Sequence, residues 1–238
     1  MAARALPPFS LLVKDGWQLL HKRFWLLFWI TFWPTLTPHI LESASNELAQ
    51  VPGLPTSLFI LGYLFLFWSV AAEVVVLAQP SVHSVGDAYR RALRYLWRTI
   101  GVMVLVMFGL IAGSIAFIIP GIYLSVTWAF PTYALVAEDL GVIASLNRSS
   151  ALVHGRWWAV FRRLFGLGLI AFIVYLVVIA LMAWLEYGSL ATAFGDVTPS
   201  FTAMSLVYDV LGTGLTLPAT LFVSVLSFTL YRQLKATD

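Results

Sequence analysis

One acidic side chain stands out as a candidate for chemistry, namely Glu73 in the apolar stretch WSVAAEVVVLAQP. An ionised carboxylate is costly inside hydrocarbon, so a residue of this kind faces the protein interior or a polar path and marks a candidate site. We expect Glu73 to face the interior of a helical bundle and to pair with an arginine, with Arg148 as the first candidate. Two interpretations stay open: a structural ion pair, or a site that binds a proton or a substrate.

Two further acids are candidates of the same kind. Glu138 ends the triplet VAE much as Glu73 ends AAE, and it precedes an arginine-containing segment, so we expect it to brace that segment. Asp209 lies near the far end of the last apolar stretch, and no Lys or Arg lies near it in the sequence. We expect Asp209 to reach lipid headgroups there, and a role in cation entry is the alternative.

Residue patterns typical of catalytic and metal sites do not occur in the sequence. The chain has no cysteine and four histidines, and no pair of histidines has the spacing of a zinc site. It also has no Gly-x-Ser-x-Gly nucleophile motif and no phosphate-binding glycine loop. The sequence therefore predicts no metal, no cofactor and no enzyme activity.

The composition indicates an integral membrane protein. Of the 238 residues, 61% are hydrophobic and 11% are charged, whereas a soluble domain carries about 25% charged residues. A soluble fold of this length has too little interior to hide so much apolar surface. We therefore expect lipid to surround most of the chain, and we treat residues 1–238 as a single integral membrane domain.

Six apolar segments reach the roughly 20 residues that a transmembrane helix needs. The third and fourth segments are separated only by Pro120 and Gly121, which end a helix and permit a tight turn. The predicted spans are residues 24–41, 57–79, 99–119, 120–137, 164–185 and 206–231.

The basic residues orient these spans. With six spans, all fourteen Lys and Arg residues fall on one side, and the loops on the other side contain none. The positive-inside rule then places both termini in the cytoplasm, which predicts a multi-pass protein of the cytoplasmic (inner) membrane. The long charged region before the first span argues against a cleaved signal peptide over residues 1–49.

The basic residues also lie on helices that lead into the spans. Arg90, Arg94 and Arg98 recur every four residues and share one helix face, opposite Tyr89 and Leu93. Such an amphipathic helix lies in the membrane interface, with its cations on anionic headgroups. It runs directly into an apolar segment, which excludes a separate nucleic-acid-binding domain. The residues predicted to face headgroups are Lys22, Arg23, Arg90, Arg91, Arg94, Arg98, Arg156, Arg162 and Arg163, and the predicted interfacial aromatics are Trp17, Trp25, Trp97, Trp157 and Trp158.

This arrangement recurs three times. Trp17 precedes Trp25 by eight residues, as Tyr89 precedes Trp97, and similar VPGLP, IPGIY and LPATL motifs open the second, fourth and sixth spans. We predict three repeat units over residues 9–79, 82–138 and 141–235. The predicted fold class is an all-α polytopic membrane protein with six transmembrane helices as three hairpins, each preceded by a basic amphipathic interfacial helix. The alternative is that any protein made of hairpins carries basic, Trp-bearing inner loops.

Two stretches resemble a known family, namely IPGIYLSVTWAFPTYALVAEDLGVIASLNRSSALVHGRWWAVF and LFVSVLSFTLYRQLK. They resemble six-helix bacterial and archaeal membrane proteins related to the membrane domain fused to some glycerophosphodiester phosphodiesterases. The resemblance implies the fold and no established activity, and it carries no hydrolase activity, because the phosphodiesterase is a separate soluble barrel. The family's last span tends to end in a tyrosine-rich acidic stretch, whereas here Arg232 and Gln233 follow Tyr231.

Three functions are compatible with these features. The first is a non-enzymatic membrane protein that binds anionic lipids or acts as an accessory or assembly subunit of a larger complex. The second is a small transporter or channel that uses Glu73, and the third, least favoured, is a membrane-embedded lipid-modifying enzyme. The sequence leaves open whether the chain joins a partner protein or a homo-oligomer.

Overall fold

The computed structural model describes residues 6–48, 54–116, 118–187 and 203–238. Throughout these ranges the regular structure is helical, and no strand occurs in them. The segments 49–53 and 188–202, which belong to the predicted non-cytoplasmic loops, lie outside the described residues. The helices are α1 (Phe9–Leu48), α2 (Leu54–Ala78), α3 (Val85–Ala92), α4 (Leu96–Ala116), α5 (Ile118–Thr127), α6 (Pro131–Ala137), α7 (Val142–Val153), α8 (Trp157–Tyr187) and α9 (Ala203–Ala236).

Five described segments are long and apolar enough to cross a membrane. They are Thr56–Ala78, Val85–Ile115, Ile118–Ala137, Trp157–Leu185 and Val207–Ala236. Helix α1 is not among them, because its apolar part is diluted by tryptophan, threonine and two prolines. The all-helical, membrane-type fold is thus confirmed, whereas the sixth span and the arrangement in three hairpins stay predictions.

The C-terminal part of α2 is the centre of the molecule. Residues 71–77 are buried on every side of the helix, as expected of a helix that is apolar all round and surrounded by others. Helices α1, α3, α4, α6 and α9 all contact α2, and α1 also packs along α9. Glu73 therefore lies in the most enclosed part of the described chain.

Helix α1 continues through two prolines, Pro34 and Pro38. Pro34 lacks an N–H, so the carbonyl of Ile30, four residues earlier, loses its partner within the helix. The hydroxyl of Tyr89, on α3, donates to that carbonyl over 2.7 Å. A side chain from another element thus replaces the hydrogen bond that the proline removes.

Helices α4 and α5 approach each other closely through glycines. A Cβ atom at Gly113 would lie 3.2 Å from the backbone nitrogen of Gly121, and one at Gly109 would lie 2.1 Å from the ring of Trp128. The sequence GLIAG, residues 109–113, thus places small residues where α4 and the α5 segment pack closely.

The fourth predicted span is interrupted. Helix α5 ends at Thr127 and α6 begins at Pro131, and the gap between them is closed by the buried Ser149 of α7. The Ser149 hydroxyl accepts from the Phe130 N–H over 3.1 Å and donates to the Thr127 carbonyl over 2.7 Å. Helix α7, predicted as an interfacial helix, thus buries one face against the protein.

The basic face of the segment that leads into α4 is partly as predicted. Arg90, Arg94 and Arg98 are all exposed. Leu93, predicted on the opposite apolar face, is 55% exposed, while Tyr95 is buried. The reason is a 3-10 turn over Leu93–Tyr95, which has three residues per turn and so rotates the side chains away from the α-helical register.

The proline-freed carbonyl gives a testable prediction. We expect Tyr89→Phe to cost about 1–3 kcal/mol of stability, because it leaves the buried Ile30 carbonyl without a donor. In a Pro34→Ala background residue 34 regains its N–H and can serve that carbonyl, so the cost of Tyr89→Phe should fall by half or more. Thermal unfolding of the four proteins in detergent measures this difference. An equal cost in both backgrounds would contradict the assignment, and Tyr175→Phe, at an exposed tyrosine of α8, is the control.

Candidate functional site

Glu73 lies in a small polar cluster where three helices meet. Its side chain is 8% exposed and lies close to the Ser224 side chain of α9. The Tyr133 hydroxyl of α6 donates to the Ser224 carbonyl over 3.3 Å. Among the described residues, the buried Oε1 atom of Glu73 has no hydrogen-bond partner, which is unusual for a carboxyl oxygen.

The predicted pairing of Glu73 with Arg148 is wrong. The Nε atom of Arg148 lies 3.3 Å from Glu138 Oε2, and its Nη1 atom lies 2.6 Å from Asp238 Oδ2. Within the described ranges no cation pairs with Glu73. Arg148 lies on α7, beside the ends of α6 and α9, so the acids at those ends are its nearest partners.

Glu138 is the centre of an ionic cluster, which we call the α6–α9 clasp (Glu138, Arg148, Tyr231, Lys235 and Asp238). The Tyr231 hydroxyl donates to Glu138 Oε1 over 2.5 Å, and Lys235 Nζ lies 3.4 Å from the same oxygen. The clasp joins the end of α6, the middle of α7 and the C-terminal end of α9. Glu138 thus contacts side chains of both α7 and α9, and the bracing role predicted for it stays a prediction.

The charges of the clasp stabilise each other. Burial alone raises the pKa of the Glu138 carboxyl, but the hydrogen bond from Tyr231 and the charges of Arg148 and Lys235 outweigh it, so the pKa lies below its ordinary value of 4.5. The hydrogen bond to Asp238 and the charge of Glu138 raise the pKa of Arg148, although burial opposes them. Both side chains are therefore ionised at neutral pH.

The direction of the Glu138 shift predicts how stability depends on pH. Because the pKa is lower in the folded protein, the carboxylate stabilises the fold above the unfolded pKa, and this contribution is lost as the pH falls through the folded pKa. We expect Glu138→Gln to cost about 1–3 kcal/mol at neutral pH and the difference from wild type to shrink at a pH below 4.5. Unfolding temperatures in detergent across this pH range measure the effect.

The matched control is Asp139→Asn. Asp139 pairs with Arg98 at 3.0 Å, but the two side chains are 64% and 46% exposed, and such surface pairs contribute little. A pH-independent difference between wild type and Glu138→Gln would show that the ionised clasp does not stabilise the fold.

Arg23 forms hydrogen bonds with four backbone carbonyls of the protein. Its guanidinium donates to the carbonyls of Val76, Gln79, Pro80 and Val82 over 2.7 to 3.4 Å. These carbonyls belong to the end of α2 and the loop after it, where helical partners run out. Arg23, predicted to face headgroups, thus caps α2.

Several other arginines of the predicted headgroup set also contact protein. Arg91 donates to Asp87, Gln79 and Ser81. Arg98 pairs with Asp139. Arg156 donates a hydrogen bond to the Thr237 hydroxyl, and Arg163 donates one to the Pro7 carbonyl.

Five cations of that set are exposed, and one of them, Arg98, is paired with Asp139. The other four are Lys22, Arg90, Arg94 and Arg162. Of these, Arg94 donates to the hydroxyl of its neighbour Tyr95 and lies 4.6 Å from the centre of that ring. These four side chains are the ones free to meet an anionic surface.

Four of the five predicted interfacial tryptophans are strongly exposed. The exposed fractions are 59% for Trp17, 68% for Trp25, 73% for Trp97 and 69% for Trp158. Trp157 instead packs within the protein: its indole N–H donates to the Tyr123 carbonyl over 3.2 Å, and its ring stacks on that tyrosine at 5.7 Å.

A groove of about 650 Å³ separates α1 from the segment that enters α3. Its polar lining consists of His21, Lys22, Arg23, His83 and Ser84, and its apolar lining of Phe24, Trp25, Leu26, Trp29, Val82 and Val85. We call it the α1–α3 groove.

Asp209 is remote from both carboxylate clusters. It lies on α9 and is half-buried, fifteen residues before Ser224, which is about 22 Å along a helix. In the part of the chain that the structure describes, no three His, Asp or Glu side chains converge to hold a metal ion.

Comparison with known proteins adds no identification, because no family model, curated protein or solved structure matches this chain.

Five residues of the two polar clusters were not predicted as site residues from the sequence. They are Tyr133, Ser224, Tyr231, Lys235 and Asp238. Tyr231 is buried and Tyr133 is partly buried, both in apolar helices, and a tyrosine hydroxyl in such a place needs a partner. This requirement is a sequence signal that the two tyrosines have polar partners, but it does not identify the distant residue that supplies each partner.

Proposed function

We propose that this chain is a multi-pass protein of the cytoplasmic membrane that binds anionic lipids at its inner face and has an accessory or organising role. In this proposal α1 supplies the sixth span, the spans form three hairpins, and both termini face the cytoplasm. A basic helical segment precedes each hairpin, in line with the repeat units predicted over residues 9–79, 82–138 and 141–235.

The observation that carries the proposal is the pairing of exposed cations with exposed tryptophans. Lys22 lies beside Trp25, Arg94 beside Trp97, and Arg162 one helical turn after Trp158. Indole rings favour the headgroup boundary, and each cation near an anionic surface contributes roughly 1 kcal/mol of binding. All three pairs thus combine the two side chains suited to one membrane interface.

The lipid preference can be measured in the reconstituted protein. Tryptophan fluorescence should be quenched more by brominated phosphatidylglycerol than by brominated phosphatidylcholine at the same mole fraction. Replacing Arg90 and Arg94 by glutamine removes two exposed cations beside Trp97, so the preference should fall about tenfold.

Two neighbouring arginines supply the matched control. Arg91→Gln with Arg98→Gln removes the same charge from the same helical segment, but these guanidinium groups are paired with Asp87 and Asp139. We expect this variant to keep most of the lipid preference. Equal losses in the two variants, or no preference in the wild type, would count against the proposal.

A second candidate function, transport of protons or small cations, is favoured by Glu73. A buried carboxyl with an unpartnered oxygen, next to the hydroxyl groups of Tyr133 and Ser224, is able to bind and release a proton. This function predicts a flux into proteoliposomes that Glu73→Gln abolishes and Asp139→Asn leaves intact. A wild-type flux equal to that of empty liposomes would exclude it.

A further inference from the structure

The α1–α3 groove lies between two elements that one side chain joins. One wall is the turn of α1 that carries His21 and Lys22, and the other is the segment 82–85 that enters α3. The guanidinium of Arg23, which also lines the groove, joins α1 to the carbonyls of Val76 and Val82. The two walls are therefore tied to each other by hydrogen bonds.

The groove is positively charged. The cations Lys22 and Arg23 line it, and none of the described acidic residues does so. The nearest acid in the sequence, Asp87, is neutralised by Arg91 at 3.0 Å. An anion that enters the groove thus meets cations and hydrogen-bond donors, among them the hydroxyl-bearing Ser84, without a repelling carboxylate.

The other half of the groove is apolar and continues along α1. Trp25 and Trp29 lie in the groove, and Trp33 follows at the same four-residue spacing. These three rings are 68%, 43% and 53% exposed and form one stripe on the surface of α1. A ligand with an anionic head and a long apolar chain satisfies both halves, whereas a free phosphate uses only the first.

We propose that the α1–α3 groove binds one anionic phospholipid, with its phosphate at Lys22 and His83 and an acyl chain along Trp25, Trp29 and Trp33. The volume of about 650 Å³ is within the range of roughly 300–1,000 Å³ typical of small-molecule sites. The proposal gives the lipid-binding function a specific site, and it rests on the membrane placement proposed above.

The test is the thermal unfolding of the full chain in a neutral detergent with added phosphatidylglycerol. A lipid that binds only the folded protein raises the unfolding temperature in a saturable way. Lys22→Gln with His83→Gln should weaken the apparent affinity about tenfold, because one cationic contact and one imidazole hydrogen bond are lost. Both side chains are exposed, and the unfolding temperature without lipid verifies that this variant folds.

The chain offers a control of the same residue types. Lys14→Gln with His154→Gln removes an exposed lysine and an exposed histidine that do not line the groove, so it should bind lipid as the wild type does. Loss of affinity in this control equal to that in the groove variant would overturn the proposal.

Added ligands separate the sources of the anion. A temperature rise produced equally by inorganic phosphate would show a small-anion site, and one produced equally by phosphatidylcholine would show a site without charge selection; either overturns the proposal. Arg90→Gln with Arg94→Gln should keep the saturable rise. Loss of lipid binding in the groove and loss of the lipid preference of the exposed arginines are thus measured with different variants.

Discussion

The constraint on which this structure depends is that a polar backbone group inside an apolar bundle must find a partner within the protein. Helices satisfy it by themselves only where they are continuous. At Pro34 the freed carbonyl of Ile30 is served by Tyr89, and at the break between α5 and α6 Ser149 serves both ends. Both of these irregularities are therefore tied to a distant element, and the two ties join α1 to α3 and the α5–α6 break to α7.

The same constraint divides the arginines into two groups. At the end of α2, four carbonyls converge on Arg23, which suits a guanidinium because it presents several donors in one plane. Such a cation is a structural cap, although its sequence context is basic and aromatic. Among the described residues, Arg90 and Arg162 have no such partner, and both are exposed. A basic residue at the predicted interface is thus available to a membrane surface only when no backbone carbonyl or carboxylate binds it.

This division marks how far the sequence could predict the structure. Composition and apolar length were enough for the helical, membrane-type fold, and the four-residue spacing placed Arg90, Arg94 and Arg98 on one exposed face. The periodicity of the sequence shows which side of a helix is polar. It does not show whether that side faces lipid headgroups or another helix of the protein. It could not show that α7 packs on protein, or that Arg148 contacts Glu138 and Asp238, because such contacts depend on how helices distant in sequence are arranged.

Glu73 and Glu138 show the same point at a single residue type. Both follow a short apolar triplet, and both were expected beside arginines. Glu138 lies at the end of α6, where the middle of α7 and the C-terminal end of α9 bring Arg148 and Lys235 within 3.4 Å. Glu73 lies at a buried position inside α2, and cations are excluded from such positions by the cost of burying them. Depth within the bundle, which one residue's sequence context does not encode, thus gives Glu138 ionic partners and leaves Glu73 without a paired cation among the described residues.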